Sequence, residues 1–167
     1  FEAEVGGQLQ SGFNTSTWGE LGAGDDVYLG DTSGDRMALG AGDDIYVGGG
    51  SEYIQQHEWI GRDEVRFNGD LERFQLTRLL AGNEYTFADG DAEVVVDLTD
   101  IANGNFTFKG KAYSLGYEPE STIIVQDRLP TSFGGEGVDL VIDASALSFD
   151  DRWLPLSSEI NFHTQTI

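Results

Sequence analysis

The sequence predicts an all-β protein, with a short parallel β-roll of nonapeptide repeats followed by a β-rich, sandwich-like capping region. Two observations predict this fold. Glycine–aspartate repeats occupy about residues 21–50. After residue 61, short alternating or β-branched segments are separated by turn dipeptides. We therefore divide the chain into 1–60, the roll with its flanking cap, and 61–167, the β-rich region.

The repeat is clearest in two segments of nearly identical sequence, residues 21–29 (LGAGDDVYL) and 39–47 (LGAGDDIYV). The second segment begins two nonapeptides after the first. The nonapeptide between them, 30–38 (GDTSGDRMA), keeps an aspartate at the sixth position and a large apolar residue at the eighth. Three nonapeptides in one register indicate a stack of repeated turns.

This pattern follows Gly-Gly-x-Gly-x-Asp-x-U-x, the calcium-binding nonapeptide of parallel β-helices. Glycine adopts positive φ without steric cost, so such a turn can aim its carbonyl groups inward. Calcium takes about six to eight oxygen ligands from carboxylates and carbonyls. Because two nonapeptides make one complete coil, we expect Asp26 and Asp44 to face one ion between adjacent turns. Carbonyl groups of four glycines would complete its shell: Gly22, Gly24, Gly40 and Gly42.

Asp35 is the sixth residue of the middle repeat and falls on the opposite side of the coil. At a spacing of two nonapeptides its neighbours in the stack are Thr17 and Tyr53, neither of which is acidic. We therefore include Asp35 among the candidate metal ligands, but expect only one complete site, on the side of Asp26 and Asp44.

These residues resemble the repeats-in-toxin family, also called hemolysin-type calcium-binding repeats. The close resemblance covers about residues 21–50. The β-rich segments 63–67 through 74–78, and 97–101 to 113–115, are similar to those that often flank such repeats. The resemblance implies a parallel β-roll, export through a type I secretion channel and folding on contact with extracellular calcium. We therefore expect a secreted protein, extracellular or at the cell surface, with calcium as its cofactor.

The composition also favours a cation as the partner. With 30 acidic and 9 basic residues the formal net charge is -21, which disfavours nucleic acid and anionic membranes. Cysteine is absent, which excludes disulfides and cysteine-based metal sites. No apolar run reaches the length of about 18 residues that predicts a transmembrane segment. The N-terminus has neither a methionine nor a signal-peptide pattern, so we expect a fragment or a processed product.

Beyond the repeats, seven segments are predicted to be strands: 64–67, 74–77, 85–87, 93–98, 106–108, 121–125 and 139–142. Turns are predicted at Asn68-Gly69, Gly82-Asn83, Asp89-Gly90 and Asn103-Gly104, and a flexible loop at 134–137. The tripeptide at 96–98 recurs at 138–140, and residues 108–115 are faintly similar to 149–156. This similarity indicates either two related units, about 61–118 and 119–167, or a coincidence in an acidic β-rich chain.

No catalytic arrangement is recognisable in the sequence. His57 and His163 belong to no metal or catalytic motif, and nothing distinguishes one pair of carboxylates as catalytic. We therefore predict a non-enzymatic calcium-binding module of a secreted bacterial adhesin or surface-associated exoprotein. Two alternatives stay open. One is a C-terminal accessory or secretion module of a secreted protease, lipase or polysaccharide-modifying enzyme. The other is a carbohydrate-binding protein. The candidate partners are then a polysaccharide or other parts of a larger secreted protein.

Overall fold

The computed structural model describes residues 2–5, 8–11, 18–30, 36–48 and 63–156. Within these residues the protein is all-β, as predicted, with three sheets, three short 3-10 turns and no α-helix. No helix among them is long and apolar enough to cross a membrane. The predicted boundary near residue 60 and both histidines lie outside the described residues.

Sixteen strands follow one another in the described part of the chain. The first eight are β1 (Glu2–Val5), β2 (Gln8–Ser11), β3 (Trp18–Glu20), β4 (Val27–Leu29), β5 (Arg36–Ala38), β6 (Ile45–Val47), β7 (Glu64–Arg66) and β8 (Phe74–Arg78). The others are β9 (Glu84–Asp89), β10 (Ala92–Asp97), β11 (Asn105–Phe108), β12 (Lys111–Ser114), β13 (Thr122–Asp127), β14 (Val138–Ile142), β15 (Ala146–Ser148) and β16 (Trp153–Pro155). The 3-10 turns are Leu71–Arg73, Ile101–Asn103 and Thr131–Phe133. Each of the seven predicted segments coincides with a strand to within two residues at either end.

The largest sheet, here the central sheet, has seven strands in the order β2-β1-β4-β6-β14-β13-β8. Its strands β4, β6 and β14 are parallel to one another. Val27 lies opposite Ile45, so the two near-identical repeats are adjacent in the register that their spacing predicts. On the other side of β6, Leu140 of β14 also lies opposite Ile45.

A five-stranded sheet, the flanking sheet, has the order β16-β15-β7-β5-β3. Its strands β3, β5, β7 and β15 form a parallel ladder. Trp18 lies opposite Arg36 at the spacing of two nonapeptides, whereas Arg36 lies opposite Glu64, which is further along the chain than that spacing predicts. From β3 to β7, successive strands alternate between the flanking and central sheets.

The third sheet, the cap sheet, is antiparallel with the order β12-β11-β10-β9, and its strands lie in sequence between β8 and β13. One apolar cluster joins the cap sheet to the central sheet, and includes Val27, Ile45, Leu140, Val96 and Phe108. Another joins the central and flanking sheets, and includes Tyr28, Tyr46, Val141, Met37 and Val65. Because side chains alternate along a strand, β4, β6 and β14 supply both clusters, and the central sheet is the middle layer.

Candidate metal centre

The four predicted glycines form two turns that stack on each other, immediately before β4 and β6. All four have positive φ: Gly22 at 101°, Gly24 at 118°, Gly40 at 91° and Gly42 at 147°. A Cβ atom on Gly40 would collide with the carbonyl of Gly22, and one on Gly42 with the carbonyl of Gly24. Conformation and close approach therefore both require glycine in the second turn.

Backbone hydrogen bonds hold the stacked turns together. The N–H of Gly24 donates to the carbonyl of Ala41 at 2.9 Å, and the N–H of Ala41 donates to the carbonyl of Gly22 at 3.1 Å. A carbonyl oxygen has two lone pairs, so one such bond leaves it able to accept a second interaction. The Gly22 carbonyl, which accepts one of these bonds, therefore keeps a lone pair that could bind a cation.

The predicted pair Asp26 and Asp44 lies at the ends of these turns, and both side chains are 0% exposed. Their carboxylates belong to a row that runs across the strands. The N–H of Asp26 donates to Oδ1 of Asp44 at 2.8 Å, and the N–H of Asp44 donates to Oδ1 of Asp139 at 2.9 Å. We call these three residues the aspartate row. Asp139, also 0% exposed, is a member that the sequence analysis did not identify as a ligand.

Asp139 belongs to a third glycine–aspartate segment, residues 134–142 (GGEGVDLVI). Residues 134–137, predicted as a flexible loop, contain no strand or helix, and 135–137 are buried. The carbonyl of Glu136 accepts the N–H of Gly42 at 3.2 Å, and Gly137 has φ of 90° and closely approaches the Gly42 carbonyl. The segment follows Gly-Gly-x-Gly-x-Asp-x-U-x at every fixed position, a signal present in the sequence but separated from the other repeats.

Several carboxylate oxygens in this region receive no hydrogen bond from the described residues. They are Oδ2 of Asp44, Oδ2 of Asp139 and Oε2 of Glu136. Burial, together with the charge of Asp26, raises the pKa of Asp44 from 3.8 to about 9. Burial and the charge of Asp44 also raise the pKa of Asp139 well above its ordinary value. Burial raises the pKa of Glu136 from 4.5 to about 7. Without a cation, Asp44 and Asp139 therefore favour the protonated form near neutral pH, and Glu136 titrates in that range.

Asp35 lies outside the described residues, as do Thr17 and Tyr53, its predicted neighbours in the stack. In the flanking sheet, Arg36 pairs with Glu64, the residue that follows Asp63. Asp63 is 1% exposed, and its N–H donates to the hydroxyl of Ser145 at 3.3 Å. The opposite side of the stack therefore also carries a buried acid.

The donor set fits a hard cation that accepts carbonyl oxygens together with carboxylates. Within the described residues, no three His, Cys, Asp or Glu side chains form a group that could hold a metal ion by themselves. Carboxylates alone therefore do not make a site, and the glycine carbonyls would have to contribute. Calcium accepts this mixture of oxygen ligands, whereas zinc prefers nitrogen and sulfur.

Comparisons with protein-family models, with curated proteins and with solved structures find no match to this chain.

Proposed function

We propose that this protein is a calcium-binding module whose main ligands come from the aspartate row, Asp26, Asp44 and Asp139. The observation that carries the proposal is the burial of Asp44 and Asp139. Each is 0% exposed, with one oxygen that receives no hydrogen bond from the described residues. Burying a carboxylate without a partner is costly, and a divalent cation satisfies several oxygens at once.

The fold that we propose around this centre is a parallel β-roll of nonapeptide repeats, similar to the repeats-in-toxin family. Its support is the register of two nonapeptides between β4 and β6, repeated between β3 and β5. Positive-φ glycine turns precede β4 and β6, and Gly137 provides the same conformation before β14. Residues 134–142 then add a third turn on the side of the aspartate row.

Calcium would act by coupling binding to folding. The four ionisable groups of the centre, the aspartate row and Glu136, are crowded within a chain of net charge -21. Without a cation, folding at neutral pH must either bury these charges or protonate the carboxylates, and both oppose the compact state until a cation neutralises them. The free energy of calcium binding then becomes free energy of folding. A site of modest affinity suits calcium at roughly millimolar concentration, as in extracellular modules.

We place this module in a secreted bacterial adhesin or other surface-associated exoprotein. The proposal rests on the likeness of residues 21–50 to repeats-in-toxin sequences and on the acidic composition. Calcium is abundant outside the cell and scarce inside it, so the same chain would stay loosely folded before export and become compact afterwards.

Calcium titration by calorimetry tests the proposed centre. The key variant is Asp44→Asn/Asp139→Asn, because asparagine keeps Oδ1 as acceptor for the backbone N–H groups while removing both charges. Asp91→Asn is the matched control, since it removes one charge from the exposed β9–β10 turn. We expect saturable binding by the wild type and Asp91→Asn, and loss of binding by the double variant. Equal binding by all three proteins, or none at several millimolar calcium, would overturn the proposal.

A further inference from the structure

A second pair of aspartates lies beside the aspartate row, one residue earlier in each repeat. Asp25 and Asp43 are stacked in the same way, since the N–H of Asp43 donates to Oδ1 of Asp25 at 2.9 Å. Oδ1 of Asp43 in turn accepts the N–H of Val138 at 2.9 Å. We call Asp25 and Asp43 the outer pair.

The outer pair has a cation supplied by the chain. Nζ of Lys109 lies 2.6 Å from Oδ2 of Asp25 and 2.7 Å from Oδ2 of Asp43. Each of the four carboxylate oxygens of this pair therefore has a donor. The aspartate row differs, because Oδ2 of Asp44 and Oδ2 of Asp139 have no donor among the described residues.

Lys109 reaches this position from a distant part of the chain. It lies in the turn between β11 and β12 of the cap sheet, 84 residues after Asp25. Its φ is 53°, a left-handed conformation that lysine rarely adopts, and its N–H donates to the carbonyl of Val95 at 3.0 Å. In this backbone conformation the ammonium of Lys109 lies between the carboxylates of Asp25 and Asp43.

The surroundings also suit a cation. Asp25, Asp43 and Lys109 line a pocket of about 230 Å³, together with Lys111 and Tyr113. Burial raises the pKa of Asp43, and the hydrogen bond and charge of Lys109 oppose that rise. For Lys109, burial lowers the pKa, but the hydrogen bonds to the outer pair outweigh it and the pKa is raised overall. The ammonium therefore stays charged.

We propose that the Lys109 ammonium is a tethered counter-ion that occupies a latent divalent-cation site between Asp25 and Asp43. The Lys109 ammonium prevents free calcium from binding between Asp25 and Asp43. Its two ion pairs also join the cap sheet to the glycine–aspartate turns. This inference concerns carboxylates other than Asp44 and Asp139, and it does not rest on the proposed function.

Calorimetric calcium titration of Lys109→Met, extended to about 10 mM calcium to detect a weak site, tests the inference. Methionine keeps most of the aliphatic stem and removes the charge. We expect this variant to bind one more calcium ion per chain than the wild type. Lys109→Arg keeps a cation and should bind the wild-type number. Lys111→Met is the matched control, because it removes a charge from the same pocket, at the start of β12, and should also bind the wild-type number.

An unchanged number of ions in a folded Lys109→Met protein would overturn the inference. If that variant fails to fold, Asp25→Asn/Asp43→Asn removes instead the two carboxylate charges that Lys109 contacts. It should lower the amide hydrogen-exchange protection of β9–β12 by about tenfold or more, and unchanged protection would also overturn the inference. A wild type that binds no calcium and a Lys109→Met variant that binds one ion would refute the proposed function alone. A wild type that binds calcium and a Lys109→Met variant that adds none would refute only the tethered counter-ion.

Discussion

The backbone N–H of Asp44 donates a hydrogen bond to Oδ1 of Asp139, 95 residues later, at 2.9 Å. Between these residues the chain forms the whole cap sheet. The bond therefore joins the repeat at 39–47 to residues 134–142, which follow the cap sheet in the sequence. The stability of the stacked turns should depend on residues 134–142 as much as on residues 21–47.

Gly137→Ala should destabilise the protein more than Gly134→Ala. Both glycines have positive φ, 90° and 85°, so each substitution introduces similar backbone strain. Only a Cβ on Gly137 collides with the carbonyl of Gly42, whereas one on Gly134 meets nothing within 4 Å. The difference in free energy of unfolding should be about 1–3 kcal/mol, the usual cost of overpacking. Urea unfolding measures it, and equal losses would contradict the stacking of the third segment.

The ion pair between Arg73 and Asp127 should matter more than the one between Arg36 and Glu64. Arg73 makes two hydrogen bonds to Asp127, at 2.8 and 2.6 Å, and the Asp127 side chain is 0% exposed. Arg73→Met leaves that buried carboxylate without its cation and should cost about 3–5 kcal/mol. Arg36→Met breaks a pair at 2.9 Å whose arginine is 66% exposed, and should cost about 0–1 kcal/mol. Thermal unfolding compares the two variants, and a larger loss for Arg36→Met would refute the comparison.

Tyr46→Ala should be strongly destabilising, because the Tyr46 ring is buried at 0% exposure and stacks on Tyr28 with centroids 5.4 Å apart. Loss of this ring from the cluster between the central and flanking sheets should cost about 3–5 kcal/mol. Phe133→Ala removes an aromatic ring that is 75% exposed and should cost less than about 0.5 kcal/mol. Denaturant midpoints of the two variants test this contrast; similar midpoints would place Tyr46 outside the core.

The metal-free protein should lose stability as the pH rises from about 4 to 9. Burial and the charge of Asp26 raise the pKa of Asp44 from 3.8 to about 9, so in this window the folded state holds a proton that the unfolded state has released. The free energy of unfolding therefore falls with increasing pH. Melting temperatures at pH 5 and pH 8 without calcium measure the slope, which Asp44→Asn/Asp139→Asn should flatten. A slope of opposite sign, or one unaffected by the double variant, would contradict the raised pKa values.

Local features of this fold are predictable from the sequence. The four predicted turn dipeptides are confirmed, since the glycine of each has positive φ: Gly69, Gly82, Gly90 and Gly104. The adjacency of Asp26 and Asp44 also follows from the sequence, because a period of two nonapeptides in near-identical repeats leaves one register for the parallel strands. These features depend on residues that are close in the chain.

Long-range features are not predictable by the same reasoning. Asp139 joins the aspartate row through parallel pairing of β14 with β6, and the cap sheet interrupts the repeat period before that pairing. The pairing of β5 with β7 likewise spans more of the chain than two nonapeptides, so the repeat period does not predict that Arg36 lies opposite Glu64. Lys109 carries no motif at all, and only the packing of the cap sheet brings it to Asp25 and Asp43.

The central claim is that the aspartate row binds calcium, and the calcium-induced shift in melting temperature of Asp139→Asn tests it most directly. At a calcium concentration about 100 times Kd, binding should stabilise the wild type by about 2.7 kcal/mol, or about 5–10 °C. Asp139→Asn should lose at least half of that shift, while Asp91→Asn should keep it. A full shift in Asp139→Asn, or no shift in the wild type, would contradict the claim.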